Sequence, residues 1–110
     1  MNGYGNSVFL RTAFEVSSGA APVNTVAPAI TGTAQVDAKV TCSKGTWTGT
    51  PTITYAFQWK RNGVDIVLDA QAAVYKLVLA DVGQSITCQV TATNGFGSAS
   101  AISNTIIPIP

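Results

Sequence analysis

Three residues constrain the fold of this chain more than any others: Cys42, Trp59 and Cys88. Each lies in a segment where apolar and polar residues alternate, on the same parity as its apolar neighbours. Because successive side chains of a β-strand point to opposite faces, all three are predicted to point inward. Two sheets packed about 10 Å apart leave room between them for a cysteine pair and one indole. The pattern therefore predicts two facing sheets around these side chains.

Further strands follow from the same periodicity. From Pro22 onward, short strand-like runs recur at the spacing of an all-β domain, and the last is predicted over residues 98–107. Asn62-Gly63 predicts a hairpin turn, because both residues tolerate a positive φ. The apolar positions that alternate without a break are Ile53, Tyr55, Phe57 and Trp59 in one run and Ile86, Cys88, Val90 and Ala92 in another.

The segment of residues 69–79 is open to two interpretations. Asp69 in the position of a helix N-cap and Gly83 beyond the end favour a helix. Tyr75, Leu77 and Leu79 on alternate positions favour a strand.

A Cys on the second strand, a Trp on the third and a Cys near the penultimate strand is the immunoglobulin arrangement. We therefore predict an all-β, immunoglobulin-like Greek-key sandwich of about seven strands with an N-terminal arm. Residues 22–107 resemble the immunoglobulin-like modules of tailed-bacteriophage structural proteins, including capsid decoration proteins, and of bacterial surface proteins. The resemblance rests on GTW at 45–47, YAFQWKRNG at 55–63, YKL at 75–77, ADVG at 80–83 and ITCQVTATN at 86–94.

One position departs from the antibody-type pattern. Ile86 stands where that pattern has a tyrosine whose hydroxyl holds the corner before the penultimate strand. We expect Asp81 to hold this corner instead, by accepting hydrogen bonds from nearby amides.

The N-terminal residues differ from the rest. We divide the chain into an arm and linker, residues 1–21, and an immunoglobulin-like domain, residues 22–110. The arm carries one apolar strand-like stretch and lacks the features of a secretion signal. We expect it to bind a partner's sheet edge or groove, the alternative being an added edge strand on its own domain. The proposed contact residues are Tyr4, Val8, Phe9, Leu10, Arg11, Phe14 and Val16.

Composition argues against several functions. Charged residues make up 10% of the chain, the net charge is +1 and there is no histidine. We therefore expect no nucleic-acid binding, no metal site, no cofactor and no catalytic site. No apolar run approaches the ~18 residues of a membrane-spanning helix. Cys42 and Cys88 are expected to be structural, as a disulfide or as buried thiols.

The resemblance implies a non-enzymatic structural or binding protein. We expect a capsid decoration protein, made in the host cytoplasm and displayed on the virion surface. Its partners would be the major capsid protein or another virion protein, and a glycan of the host surface. The alternatives are an adhesion module of a bacterial cell-surface protein and a phage tail appendage. Trp47 and Phe96 lie near predicted turns and are expected either to contact a ligand or to cover one end of the domain.

Overall fold

The computed structural model describes residues 19–110, and the arm residues proposed as contacts lie outside this range. The described part is all-β, with antiparallel sheets consistent with a β-sandwich. The strands are β1 (Val23–Val26), β2 (Ile30–Thr31), β3 (Lys39–Cys42), β4 (Thr46–Thr48), β5 (Thr54–Arg61), β6 (Val64–Asp65), β7 (Val74–Lys76), β8 (Ile86–Asn94) and β9 (Gly97–Ile102). One turn of 3-10 helix, Leu79–Asp81, precedes β8.

The strands form three sheets. The largest has the order β6-β5-β8-β9, a second has the order β2-β3-β7, and β1 pairs with β4. All of these pairs are antiparallel. The ladder between β5 and β8 is the longest, running from Thr54 opposite Thr93 to Arg61 opposite Ile86. It sets the length of the domain.

The core lies between the large sheet and the β2-β3-β7 sheet. Alternate residues of β8 are buried, as the period of two predicted. The tight turn at Asn62-Gly63 is also confirmed, with φ values of 53° and 81° that suit these two residues. The buried apolar residues are Ile30, Val40, Cys42, Trp59, Ile66, Ala70, Tyr75, Leu77, Ile86, Cys88, Val90 and Ala92.

Residues 69–79 do not form an α-helix, and the strand interpretation holds only for Val74–Lys76. Leu79, expected on the same strand, begins the 3-10 turn and is exposed. Val74–Lys76 pairs with β3, and Tyr75 points into the core. Asp69 has a φ of 54° and lies in an irregular segment, residues 66–73, that passes from one sheet to the other. This segment is held by the Trp59 amide, which donates to the Ala70 carbonyl at 2.9 Å, and by the Cys42 amide, which donates to the Ala73 carbonyl at 2.7 Å.

Two strand predictions need correction. The described residues form nine strands rather than about seven, partly because Pro28 lies in a break between β1 and β2. The last strand ends at Ile102 and not at Ile107. Beyond it the pairing is irregular, with an isolated antiparallel bridge between Ile86 and Ile106. Side chains supplement it: Ser103 Oγ accepts from the Cys88 amide at 2.9 Å, and Asn104 Oδ1 accepts from the Ile30 amide at 2.7 Å.

Candidate functional site

The arm joins the domain at the end formed by the β4–β5 and β8–β9 connections. The Ala20 carbonyl accepts hydrogen bonds from the Thr50 amide at 3.1 Å and from Asn94 Nδ2 at 2.8 Å. Phe96, which is about half exposed, packs its ring so closely against Gly19 that a Cβ there would overlap it. A Cβ at residue 19 would therefore require the Phe96 ring to move. We call this end of the domain, to which the last residues of the arm and linker are hydrogen-bonded, the arm end.

Trp47 lies near the same end and is partly buried against the core. Its indole Nε1 donates to the Lys44 carbonyl at 2.7 Å, and its ring lies 6.4 Å from that of Tyr55. The ammonium group of Lys44 sits 5.0 Å from the centre of the Tyr55 ring. These contacts give Trp47 a packing role and leave Phe96 with the more exposed ring.

Cys42 and Cys88 come from different sheets, as the spacing predicted. In the structure they are unbridged, both are buried, and Trp59 lies directly opposite Cys88 on the neighbouring strand. The hydrogen bond with Cys42, followed by burial, raises the pKa of the Cys88 thiol. This disfavours the thiolate of Cys88, whereas the same interaction lowers the pKa of the Cys42 thiol, which is 2% exposed.

Trp59 is fully buried and anchors the core. Its Nε1 donates to the Ala72 carbonyl at 2.7 Å, and its ring is stacked on Tyr75 at 5.3 Å between centroids. The indole therefore ties the large sheet to the irregular segment of residues 66–73.

Asp81 is a fully buried carboxylate at the corner before β8. One oxygen accepts from Arg61 Nε at 2.7 Å, and the other accepts from the Tyr75 hydroxyl at 2.6 Å and the Val78 amide at 2.9 Å. The expected capping of local amides by Asp81 is confirmed. Burial, and then the hydrogen bond to Asp81, raise the pKa of Tyr75 to about 12.

A groove of about 430 Å³ opens at the other end of β5, beside this network. It lies between the edge strands β6 and β7. We call it the edge groove. Ile66, Val67 and Leu68 line one side, Tyr75 and Val78 line the other, and Arg61, Asp69 and Lys76 supply its polar atoms. A mostly apolar concavity of this size, with a few polar groups, is typical of a ligand site.

The two cationic side chains that line the edge groove, Arg61 and Lys76, differ in whether they are already ion-paired. Arg61 is ion-paired with Asp81, so its charge is largely neutralised. Lys76 lies directly opposite Lys39 on β3, with both side chains exposed on the same face. Neither lysine has a carboxylate partner among residues 19–110, and like charges in this position are unfavourable.

Sequence reasoning missed the edge groove. The apolar run around Val67-Leu68 forms part of the groove but has the composition of core sequence, so it did not indicate a surface site. These two side chains are 80% and 79% exposed. Within the part of the chain that the structure describes, no cluster of His, Cys, Asp and Glu could hold a metal ion. No helix among these residues is long and apolar enough to span a membrane.

Comparison of the chain with family models, curated proteins and solved structures gave no match.

Proposed function

We propose that this chain is a non-catalytic structural protein of a tailed phage, which displays an immunoglobulin-like domain on the capsid surface and is attached to it by its arm. The proposal combines the sequence resemblance with one structural observation, the position at which the last residues of the arm and linker meet the domain. Ala20 is hydrogen-bonded at the arm end, about 23 Å along β5 from the edge groove. A domain attached there presents its opposite end to solvent.

The Greek-key, immunoglobulin-like topology is part of this proposal. It is supported by the order of the strands in the large sheet and by the burial of Cys42, Trp59 and Cys88 between two sheets. The lack of catalytic chemistry is supported by the state of the buried polar groups. The Asp81 carboxylate is occupied by three structural partners, and Cys42 and Cys88 are both buried in the core.

The test is co-sedimentation of the purified chain with capsids assembled from the major capsid protein of the phage genome that carries its gene. We expect the full chain to pellet with capsids to a stoichiometric limit. A variant that lacks residues 1–18 should keep its melting temperature but stay in the supernatant.

Single substitutions in the arm provide a matched comparison. Phe14 is a large apolar member of the proposed contact set, whereas Ala13 is small and lies outside that set. Phe14→Ser should weaken capsid binding strongly, whereas Ala13→Ser should weaken it little. Undiminished binding by the truncated protein would exclude the arm as the anchor. The absence of a capsid gene beside this one, or of any binding by the full chain, would refute the phage assignment.

A further inference from the structure

The edge groove has the properties of a ligand site that the proposed function does not use. It lies at the end of β5 away from the arm, so attachment through the arm leaves it accessible. Val67 and Leu68 expose about four fifths of their surface at its edge, while Ile66 and Tyr75 are buried beneath them. Apolar surface exposed beside a concavity marks a binding site more often than isolated surface residues do.

The polar groups of the groove indicate which charge a ligand would carry. Arg61 is held by Asp81 and offers little free charge. Lys76 is different, because it lines the groove and stands opposite Lys39 without a carboxylate partner among the described residues. An anion in the groove beside Lys76 would offset the unfavourable like charge of its neighbour Lys39. The Asp69 carboxylate, elsewhere on the wall, would repel the same anion and so favour one orientation.

We propose that the edge groove binds a small amphipathic carboxylate. The apolar body lies against Val67, Leu68 and Val78, and the carboxylate lies beside Lys76. A volume of about 430 Å³ accommodates a phenyl ring with a short alkyl chain. The two parts of the ligand match two separate features of the groove, its apolar wall and the Lys76 ammonium group, which is in no ion pair with a described residue.

The experiment is an NMR titration of the ¹⁵N-labelled full chain at low ionic strength with three probes. 3-Phenylpropanoate carries both features, 3-phenylpropan-1-ol lacks the charge, and acetate lacks the apolar body. We expect 3-phenylpropanoate and the alcohol to shift the amide signals of Val67, Leu68 and Val78. The acid should bind roughly two- to fivefold more tightly than the alcohol, which is the range expected for an exposed ion pair. Acetate should leave these signals unchanged.

Variants separate the two contributions. Lys76→Met should reduce the affinity for 3-phenylpropanoate to that for the alcohol, and Leu68→Asp should abolish binding of both. Each changed side chain is exposed, so the remaining spectrum should stay that of the folded protein. Lys44→Met is the control, because Lys44 lies over Tyr55 near the arm end and its loss should change neither affinity.

Three results would overturn the proposal. One is the absence of groove-specific shifts at millimolar 3-phenylpropanoate. Another is equal affinity for the acid and the alcohol, with Lys76→Met without effect. The third is acetate shifting the same signals as the larger probes, since this would show a simple anion site. None of these results bears on capsid attachment, which is read out by sedimentation.

Discussion

Replacement of Asp81 by alanine should be among the most destabilising single changes in the domain. The carboxylate is fully buried, and its loss would remove the acceptor of the buried Tyr75 hydroxyl and of the Val78 amide. It would also leave Arg61 without its ion-pair partner, although that side chain is 30% exposed and can recruit water. Breaking a buried pair by removing one partner costs about 3–5 kcal/mol of unfolding free energy.

The chain provides a matched control in Asp65. Its carboxylate lies 3.1 Å from Lys60 Nζ, but the side chain is 63% exposed. The same change, Asp65→Ala, should therefore cost less than about 1 kcal/mol. The two substitutions remove the same group from an ion pair and differ in burial.

Urea unfolding followed by the fluorescence of Trp47 and Trp59 measures these differences. If Asp81→Ala is too unstable to purify, Asp81→Asn can replace it, because asparagine keeps the shape of the side chain and removes its charge. Hydrogen bonds to a charged group are worth about 1.5–3 kcal/mol each, so Asp81→Asn should still lower the unfolding free energy by at least about 1.5 kcal/mol. If Asp81→Ala and Asp65→Ala were equally stable, the corner would not depend on Asp81 and the argument would fail.

Three further predictions concern the same fold. The folded-state pKa of Tyr75 is raised from about 10 to about 12, so the stabilisation that its protonated hydroxyl gives is complete below pH 10 and is lost as the pH rises through 12. Between these pH values the unfolding free energy of wild type, measured by urea unfolding, should fall by about 3 kcal/mol more than that of Tyr75→Phe. Trp59→Ala should cost about 3–5 kcal/mol in the same assay, whereas Trp47→Ala, at a partly exposed indole, should cost less than half as much. A three-residue insertion between Asn62 and Gly63, an exposed tip, should leave the thermal midpoint within about 3 °C of wild type, and a larger fall would show that the turn is part of an interface.

The core could be predicted because it depends on the period of two. In β5 and β8 the residues of one parity face inward over the full length of the ladder, so reading the sequence at alternate positions identified Trp59 and Cys88 as buried. Asp81 could be anticipated for a related reason. With Ile86 at the position of the usual tyrosine, another polar side chain must hold this corner, and Asp81 does so by accepting a hydrogen bond from the Val78 amide of the adjacent turn.

Features that depend on tertiary hydrogen bonds could not be predicted from the alternation of apolar and polar residues. Apolar residues return at Ile106 and Ile107 after the polar residues 103–105, and the last strand was expected to reach Ile107. The regular strand ends at Ile102, where the side chains of Ser103 and Asn104 accept hydrogen bonds from the amides of Cys88 and Ile30, and no periodicity records this. The irregular segment of residues 66–73 is similar, since its conformation is fixed by the amides of Trp59 and Cys42 and not by its own sequence.

The edge groove was unpredictable for a further reason. Val67 and Leu68 have the composition of core residues, and only the position where β6 ends places them at the surface. Lys39 and Lys76 are far apart in sequence and become neighbours through the register of β3 with β7. A single-residue shift of this register would turn one lysine to the opposite face and separate the two charges. The proposed carboxylate site is thus a property of strand pairing, while the proposed anchor is a property of the arm sequence, and the β5–β8 ladder holds the first at a fixed distance from the second.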